Sequence, residues 1–153
     1  MKSIRYEINK SSYDDIKKHL IACDNYFVPK LSKKVKIDEY SRKLINNAIR
    51  IEAWSSSTLI GLIAFYINVG NSFLFITNVS VLIDFKGFGV AKNLMQEVIN
   101  QSKHSKLKEI KLEVNKSNSN AINLYKFFNF DIVNENQDNY LMKKNIQNEH
   151  KRL

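Results

Sequence analysis

The stretch that most limits what this chain can fold into runs from Val79 to Met95: Val-Ser-Val-Leu-Ile-Asp-Phe-Lys-Gly-Phe-Gly-Val-Ala-Lys-Asn-Leu-Met. Its first part is β-branched and apolar, the composition of a buried strand. From Phe88 onward Val90, Ala91, Leu94, Met95, Val98 and Ile99 recur at helical spacing. Between strand and helix sits a short loop carrying two of the four glycines, Gly87 and Gly89. Glycine lets main-chain N–H groups approach a ligand with no Cβ in the way, and a helix start adds the positive end of its dipole. Strand, glycine loop and helix in this order predict a phosphate cradle. Spacing excludes two kinds of cradle. A Walker loop closes on Gly-Lys-Ser/Thr, which is missing, and a dinucleotide fingerprint wants Gly or Ala where Lys92 stands.

What fits is Arg/Gln-x-x-Gly-x-Gly/Ala, read here as Lys86-Gly87-Phe88-Gly89-Val90-Ala91. This segment resembles the coenzyme A pyrophosphate loop of the GNAT family of N-acetyltransferases. It departs at the first position, where Lys86 keeps a cation but lacks the planar fork of arginine. A second stretch, Val114 to Phe130, resembles the pattern near the end of the same family: Asn118, Ala121, Leu124, Tyr125 and Phe130 match. Asn129 stands where the family has glycine, and Asn tolerates the left-handed conformation that ends a helix. The resemblance covers Thr77 to Phe130, is loose from Ile51 to Ile76, and gives no motif in the first fifty residues.

The rest of the chain supplies the elements of an α/β (α+β) domain. A strand is predicted over Ile4–Ile8, then a helix capped by Ser11 or Ser12 and running to about Tyr26. Pro29 breaks the chain, and a second helix is expected from about Ile37 to Ile49. Ile51–Trp54, Leu59–Ile67 and Phe73–Leu82 read as a meander of strands, the last feeding the glycine loop. A helix from Phe88 to about Ser102 before the strand Glu109–Val114 implies a parallel crossover. Asp131–Val133 and Tyr140–Lys144 close the chain as a hairpin. The expected architecture is GNAT-like: a mixed, mostly antiparallel twisted sheet of about six or seven strands, flanked by about four helices. It forms one acetyltransferase domain over residues 1–146, with 147–153 a fraying tail.

Composition narrows the setting. The N-terminus carries no signal-peptide pattern, and no apolar run approaches the ~20 residues of a membrane span. Cys23 is the lone cysteine, which excludes an internal disulfide and makes a reducing cytoplasm the expected location. With only His19, His104 and His150 beside it, no metal site is expected. Cys23 reads as a small core residue, because no histidine partner is evident. A net charge of +9 invites a nucleic-acid partner, but the lysines are spread along the whole chain. The basic balance suits anionic ligands instead, and leaves a homodimer open.

The resemblance implies transfer of acetyl from acetyl-coenzyme A, bound as co-substrate, to a primary amine by direct attack in a ternary complex. It assigns the cofactor's phosphates to the main chain of Lys86, Gly87, Phe88, Gly89, Val90 and Ala91. It assigns the pantetheine arm to main-chain groups around Val79 and Val81, with a further contact from Asn118. It also makes Tyr125 the catalytic acid that protonates the leaving thiolate. With a tyrosine pKa of ~10 against ~8.5 for a thiol, that transfer needs no large shift. The strand before the loop has no acid, so the general base is left among Glu39, Glu52, Glu113 and none. Asn118 also reads as a plain helix cap, and Tyr125 as a core aromatic. Tyr26, Phe27, Pro29, Leu31 and Ser32 are expected to line the acceptor pocket or to clasp the sheet edge. The expected acceptor is a small-molecule amine, with a nucleotide-linked amino sugar as one example. The alternatives are a protein N-terminus, a lysine, or a non-catalytic coenzyme A-binding module.

Overall fold

The structure, a computed structural model, describes residues 3–146. The strands are β1 (Arg5–Ile8), β2 (Ile49–Ser55), β3 (Thr58–Asn68), β4 (Phe73–Val81), β5 (Glu109–Asn115), β6 (Asp131–Glu135) and β7 (Asn139–Asn145). The helices are α1 (Tyr13–Cys23), α2 (Ile37–Asn47), α3 (Val90–His104) and α4 (Ser119–Phe127). The strands form one mixed sheet in the order β1-β2-β3-β4-β5-β7-β6. β4 and β5 are parallel across the α3 crossover, whereas β1/β2, β2/β3, β5/β7 and β6/β7 are antiparallel. The tail expected to fray from Gln147 lies outside the described residues.

By contacts the chain divides into two compact units. The first comprises residues up to Phe65 with Asn78–Glu97. Here Ser12 caps α1 with a capping box: its Oγ accepts from Asp15 N–H while the Asp15 carboxylate accepts from Ser12 N–H. Ile16 and Leu20 of α1, Leu44 of α2, and Ile51, Ile60 and Ile63 of the strands are fully buried. Helix α3 starts close against β3 because Gly61 lacks a side chain. A Cβ there would stand 2.8 Å from Val90 Cγ1 and 3.1 Å from Leu94 Cδ1. The second unit comprises Tyr66–Thr77 and the chain from Val98. Leu74, Ile110, Leu112 and Met142 form its core, and Ile110, Leu112 and Val114 share the buried face of β5.

Boundaries differ from the sequence expectation where local geometry intervenes. Helix α3 begins at Val90 rather than Phe88, because Gly87 and Gly89 hold positive φ values of 86° and 77° that no right-handed helix allows. Helix α1 ends at Cys23, and a 3₁₀ turn carries Asp24–Tyr26. Asn129 does adopt the left-handed conformation, with φ 66°. The closing strands β6 and β7 are longer than Asp131–Val133 and Tyr140–Lys144.

A buried polar cluster ties the segment between β1 and α1 to β2. Glu52 is fully buried, and its carboxylate accepts from Lys10 N–H at 2.9 Å, Ser11 N–H at 3.0 Å, the Ser11 hydroxyl and Trp54 Nε1–H at 3.3 Å. Arg50 Nε lies 3.4 Å from Glu52 Oε2, and its guanidinium also donates to Ser11 Oγ and to the Ala48 and Ser11 carbonyls. Removing one member of a buried pair strands the other charge, at a cost of about 3–5 kcal/mol. Glu52→Gln should therefore lower the unfolding free energy from urea titration by that much, while Glu39→Gln on the surface leaves it unchanged within about 0.5 kcal/mol.

Candidate active site

The glycine loop is shaped by its main chain. Lys86 N–H donates to the Ile83 carbonyl at 3.2 Å, which closes the turn Ile83–Phe85 before the glycines. That N–H is spent, which corrects the expectation that Lys86 contributes its main chain to the cradle. Among the described residues, the N–H groups of Gly87, Phe88, Gly89, Val90 and Ala91 have no protein acceptor; the helix ladder starts with Asn93 N–H on the Gly89 carbonyl at 3.0 Å. Five free donors thus stand at the positive end of a fifteen-residue helix. A Cβ at Gly87 or Gly89 would meet nothing within 4 Å, so both glycines serve the positive φ and leave the space above them open. This arrangement fits an anionic diphosphate.

The side chain of Lys86 stays at the surface, its Nζ 5.0 Å from the centre of the Tyr26 ring. The glycine loop is thereby brought beside the α1–α2 segment that the sequence marked for the acceptor. In that segment the Ser32 hydroxyl and N–H donate to the Asp24 carboxylate at 2.7 and 2.8 Å. Those bonds, the hydroxyl foremost, hold the Asp24 carboxyl below its usual pKa. Leu31 is buried as a clasp, whereas Tyr26 is about half exposed.

Strand β4 has the second feature. The parallel ladder pairs Phe73–Ile76 with Glu109–Leu112, and β4 continues to Val81. Among the described residues, the β5-facing edge of Asn78–Val81 has no ladder partner. Val79 and Val81 lie on this stretch.

In the second unit, Asn118 caps α4, its side chain accepting from Ala121 N–H at 3.3 Å. Tyr125 lies on the same helix, 6% exposed, its ring 5.8 Å from that of Phe130. Burial alone pushes the Tyr125 hydroxyl well above its usual pKa. The expectation of an acid near its ordinary value is thus corrected: the hydroxyl stays protonated across the physiological range, and donates its proton less readily.

The acids sort themselves. Glu52 is sealed in its cluster and cannot reach a substrate. Glu39 is at the surface, 3.9 Å from Lys36, and Glu113 points to solvent, as strand alternation predicts.

A family model described as acetyltransferase (GNAT) family matches residues 13–130. The chain belongs to the GNAT family. Among solved structures, PaiA N-acetyltransferase from Thermoplasma acidophilum, in complex with coenzyme A, superposes with a TM-score of 0.73 at 19% identity, covering 92% of this chain and 99% of that one. NAA60 from Arabidopsis thaliana, with a bisubstrate analogue, gives 0.78 at 19% identity, covering 94% and 98%. The ribosomal-protein-S18-alanine N-acetyltransferase from Escherichia coli gives 0.71 at 15%, covering 93% and 94%. No curated protein matches the sequence.

This GNAT protein is an acyl-CoA-dependent N-acyltransferase with acetyl-coenzyme A as co-substrate. No helix among the described residues is long and apolar enough to cross a membrane, and no group of three or more His, Cys, Asp and Glu among them could hold a metal. One cluster escaped the sequence reading. His19, one helical turn before Cys23, has Nε2 3.7 Å from the Cys23 sulfur and 2.8 Å from Ser80 Oγ, and Ser80 Oγ lies 2.8 Å from Asn78 Oδ1. The i, i+4 spacing of His19 and Cys23 was the available signal; the approach of Ser80 from another element was not readable. Cys23 does have a histidine partner, which corrects the expectation of none. Yet burial pushes its thiol up to about 11, with Lys86 pulling back only in part, so the core reading of Cys23 stands.

Burial pulls His19 down to about 4, against the smaller upward pull of its bonds to Leu59 and Ser80. The unfolded chain, with a histidine pKa near 6.5, takes up this proton first. Stability from the neutral imidazole is therefore complete above about pH 6.5 and is lost as the pH falls toward 4. By pH 5 the loss should reach ~2 kcal/mol. Urea titrations at pH 7 and pH 5 should show it in the natural protein, and a His19→Gln variant should lack that part of the slope.

Proposed function

We propose that this protein transfers acetyl from acetyl-coenzyme A to a primary amine of a small molecule by direct attack in a ternary complex. It does so as one acetyltransferase domain over residues 1–146, in the cytoplasm. The observation that carries the reading is the glycine loop: five free N–H donors at the start of α3, with open space over Gly87 and Gly89. In this reading Gly87, Phe88, Gly89, Val90 and Ala91 hold the diphosphate through their N–H groups, and Lys86 adds its side-chain charge. The main chain around Val79 and Val81 takes the pantetheine arm and polarises the thioester carbonyl. Asn118 contacts the arm while capping α4.

The amine nitrogen attacks the thioester carbon and the C–S bond breaks, with the Tyr125 hydroxyl hydrogen-bonded to the departing sulfur and the thiolate taking up, through water, the proton that the amine releases. The amine reacts in its neutral form and gives up its proton to water, since Glu52 is sealed and Glu39 and Glu113 face solvent. Tyr125, with its raised pKa, acts mainly as a hydrogen-bond donor to the sulfur as charge develops. The chain's charge of +9 favours an amine on an otherwise anionic molecule, such as a nucleotide-linked amino sugar, over a basic peptide. A second reading, acetylation of a protein N-terminus, draws support from the S18-alanine N-acetyltransferase among the structural neighbours.

Thiol release from acetyl-coenzyme A over a panel of amino sugars, polyamines and N-terminal peptides separates these readings. Turnover of peptides alone would overturn the small-molecule assignment. Tyr125→Phe should lower kcat about tenfold or more and leave the coenzyme A Kd unchanged; equal turnover would remove Tyr125 from the mechanism. Gly89→Val should abolish coenzyme A binding, because a β-branched residue resists a φ of 77°. Calorimetric titration with coenzyme A checks both.

A further inference from the structure

The His19–Ser80 pair sits where β4 needs support. Among the described residues, Asn78–Val81 have no ladder partner on the β5-facing edge, and just past the strand Leu82 N–H donates to the Ile60 carbonyl of β3 at 2.8 Å. Within that span Asn78 and Ser80 turn their side chains inward and are 4% and 8% exposed. His19, 2% exposed, meets Ser80 from α1.

The protons can be assigned from the partners. The Leu59 carbonyl, 3.0 Å from His19 Nδ1, only accepts, so Nδ1 carries the hydrogen. In the neutral ring Nε2 then has only a lone pair, and the Ser80 hydroxyl donates to it at 2.8 Å. The hydroxyl has one proton for two neighbours, so the Asn78 amide serves it best by turning its N–H toward Oγ. The chain from Asn78 through Ser80 and His19 to Leu59 is then satisfied at each link. It joins β4, α1 and β3. Packing alone would not call for it: a buried hydroxyl, amide and imidazole cost free energy unless bonded, and apolar side chains would fill the same space. A bonded network instead fixes direction.

We propose that His19 and Ser80 are positioning residues for coenzyme A, holding Asn78–Val81 extended so that the one-sided stretch of β4 presents its main chain to the cofactor's arm. The proposal rests on the reading of Val79 and Val81 given above. Cys23 and Lys86 take no part in it: the thiol is protonated, and the lysine acts through its charge alone.

The test is coenzyme A affinity measured by calorimetry, with the urea midpoint of the same samples as the structural control. Ser80→Ala should weaken coenzyme A about tenfold, or 1.4 kcal/mol. It should raise the KM for acetyl-coenzyme A in proportion and leave the KM for the amine unchanged. His19→Asn keeps a donor for the Leu59 carbonyl but falls short of Ser80, and should match Ser80→Ala. His19→Gln reaches the Nε2 position and should restore affinity to within about twofold, because an amide can replace one ring nitrogen. The His19 pair keeps the test open should Ser80→Ala fail to fold. A lowered urea midpoint with wild-type coenzyme A affinity in Ser80→Ala and His19→Asn would overturn the proposal and leave the cluster a core feature. Absence of binding by the natural protein itself would overturn the proposed function, and so differs from a failure confined to the variants.

Discussion

Strand β4 pairs with β5 from Phe73 to Ile76, its last residues Asn78–Val81 have no ladder partner on that edge among the described residues, and the rest of the first unit answers that constraint. A parallel strand that loses one neighbour exposes main-chain donors and acceptors along one edge, which invites an extended partner. The chain keeps this edge in shape by other means. Leu82 N–H ties the end of the strand to β3, and the side chains of Asn78 and Ser80 are held from α1. The turn Ile83–Phe85 then delivers the two positive-φ glycines directly to the start of α3. The one-sided edge of Asn78–Val81 and five free N–H groups from Gly87 are two consequences of one β4-to-α3 path.

Two buried polar clusters in the first unit serve different ends. Around Glu52 a full charge is buried against Arg50 and four further donors, which locks the entry to α1 onto β2. Burial of that kind is justified by its geometry and is closed to chemistry. Around His19 the groups are neutral, and burial keeps them so. Such a cluster sets no charge near β4 and instead gives the strand a fixed direction. The contrast sets a glutamate that is sealed among its donors apart from a histidine whose hydrogen bond reaches β4.

Most of the fold was legible because its signals are local. The hydrophobic period of α3, the alternation of β5 and the turn chemistry at Asn129 each depend on neighbours within a few residues. The parallel crossover followed from a helix lying between two strands. The glycine loop was legible because positive φ confines the choice of residue, and the structure shows strain relief rather than crowding as the reason. The helix start was misplaced by two residues for the same cause: periodicity continues through Phe88, but the backbone of Gly89 does not.

What the sequence by itself determined is the order of elements, the family-like loop and α4 motif, and the charge that accompanies them. Those properties are carried by spacing along the chain. Only the tertiary structure decided that Glu52 is sealed, that Tyr125 is pushed away from an ordinary phenol, that Lys86 spends its N–H on a turn, and that His19 meets Ser80. Burial and hydrogen bonding between residues forty or sixty positions apart set these surroundings. Such pairings arise from packing in three dimensions, and no local pattern in the chain encodes them.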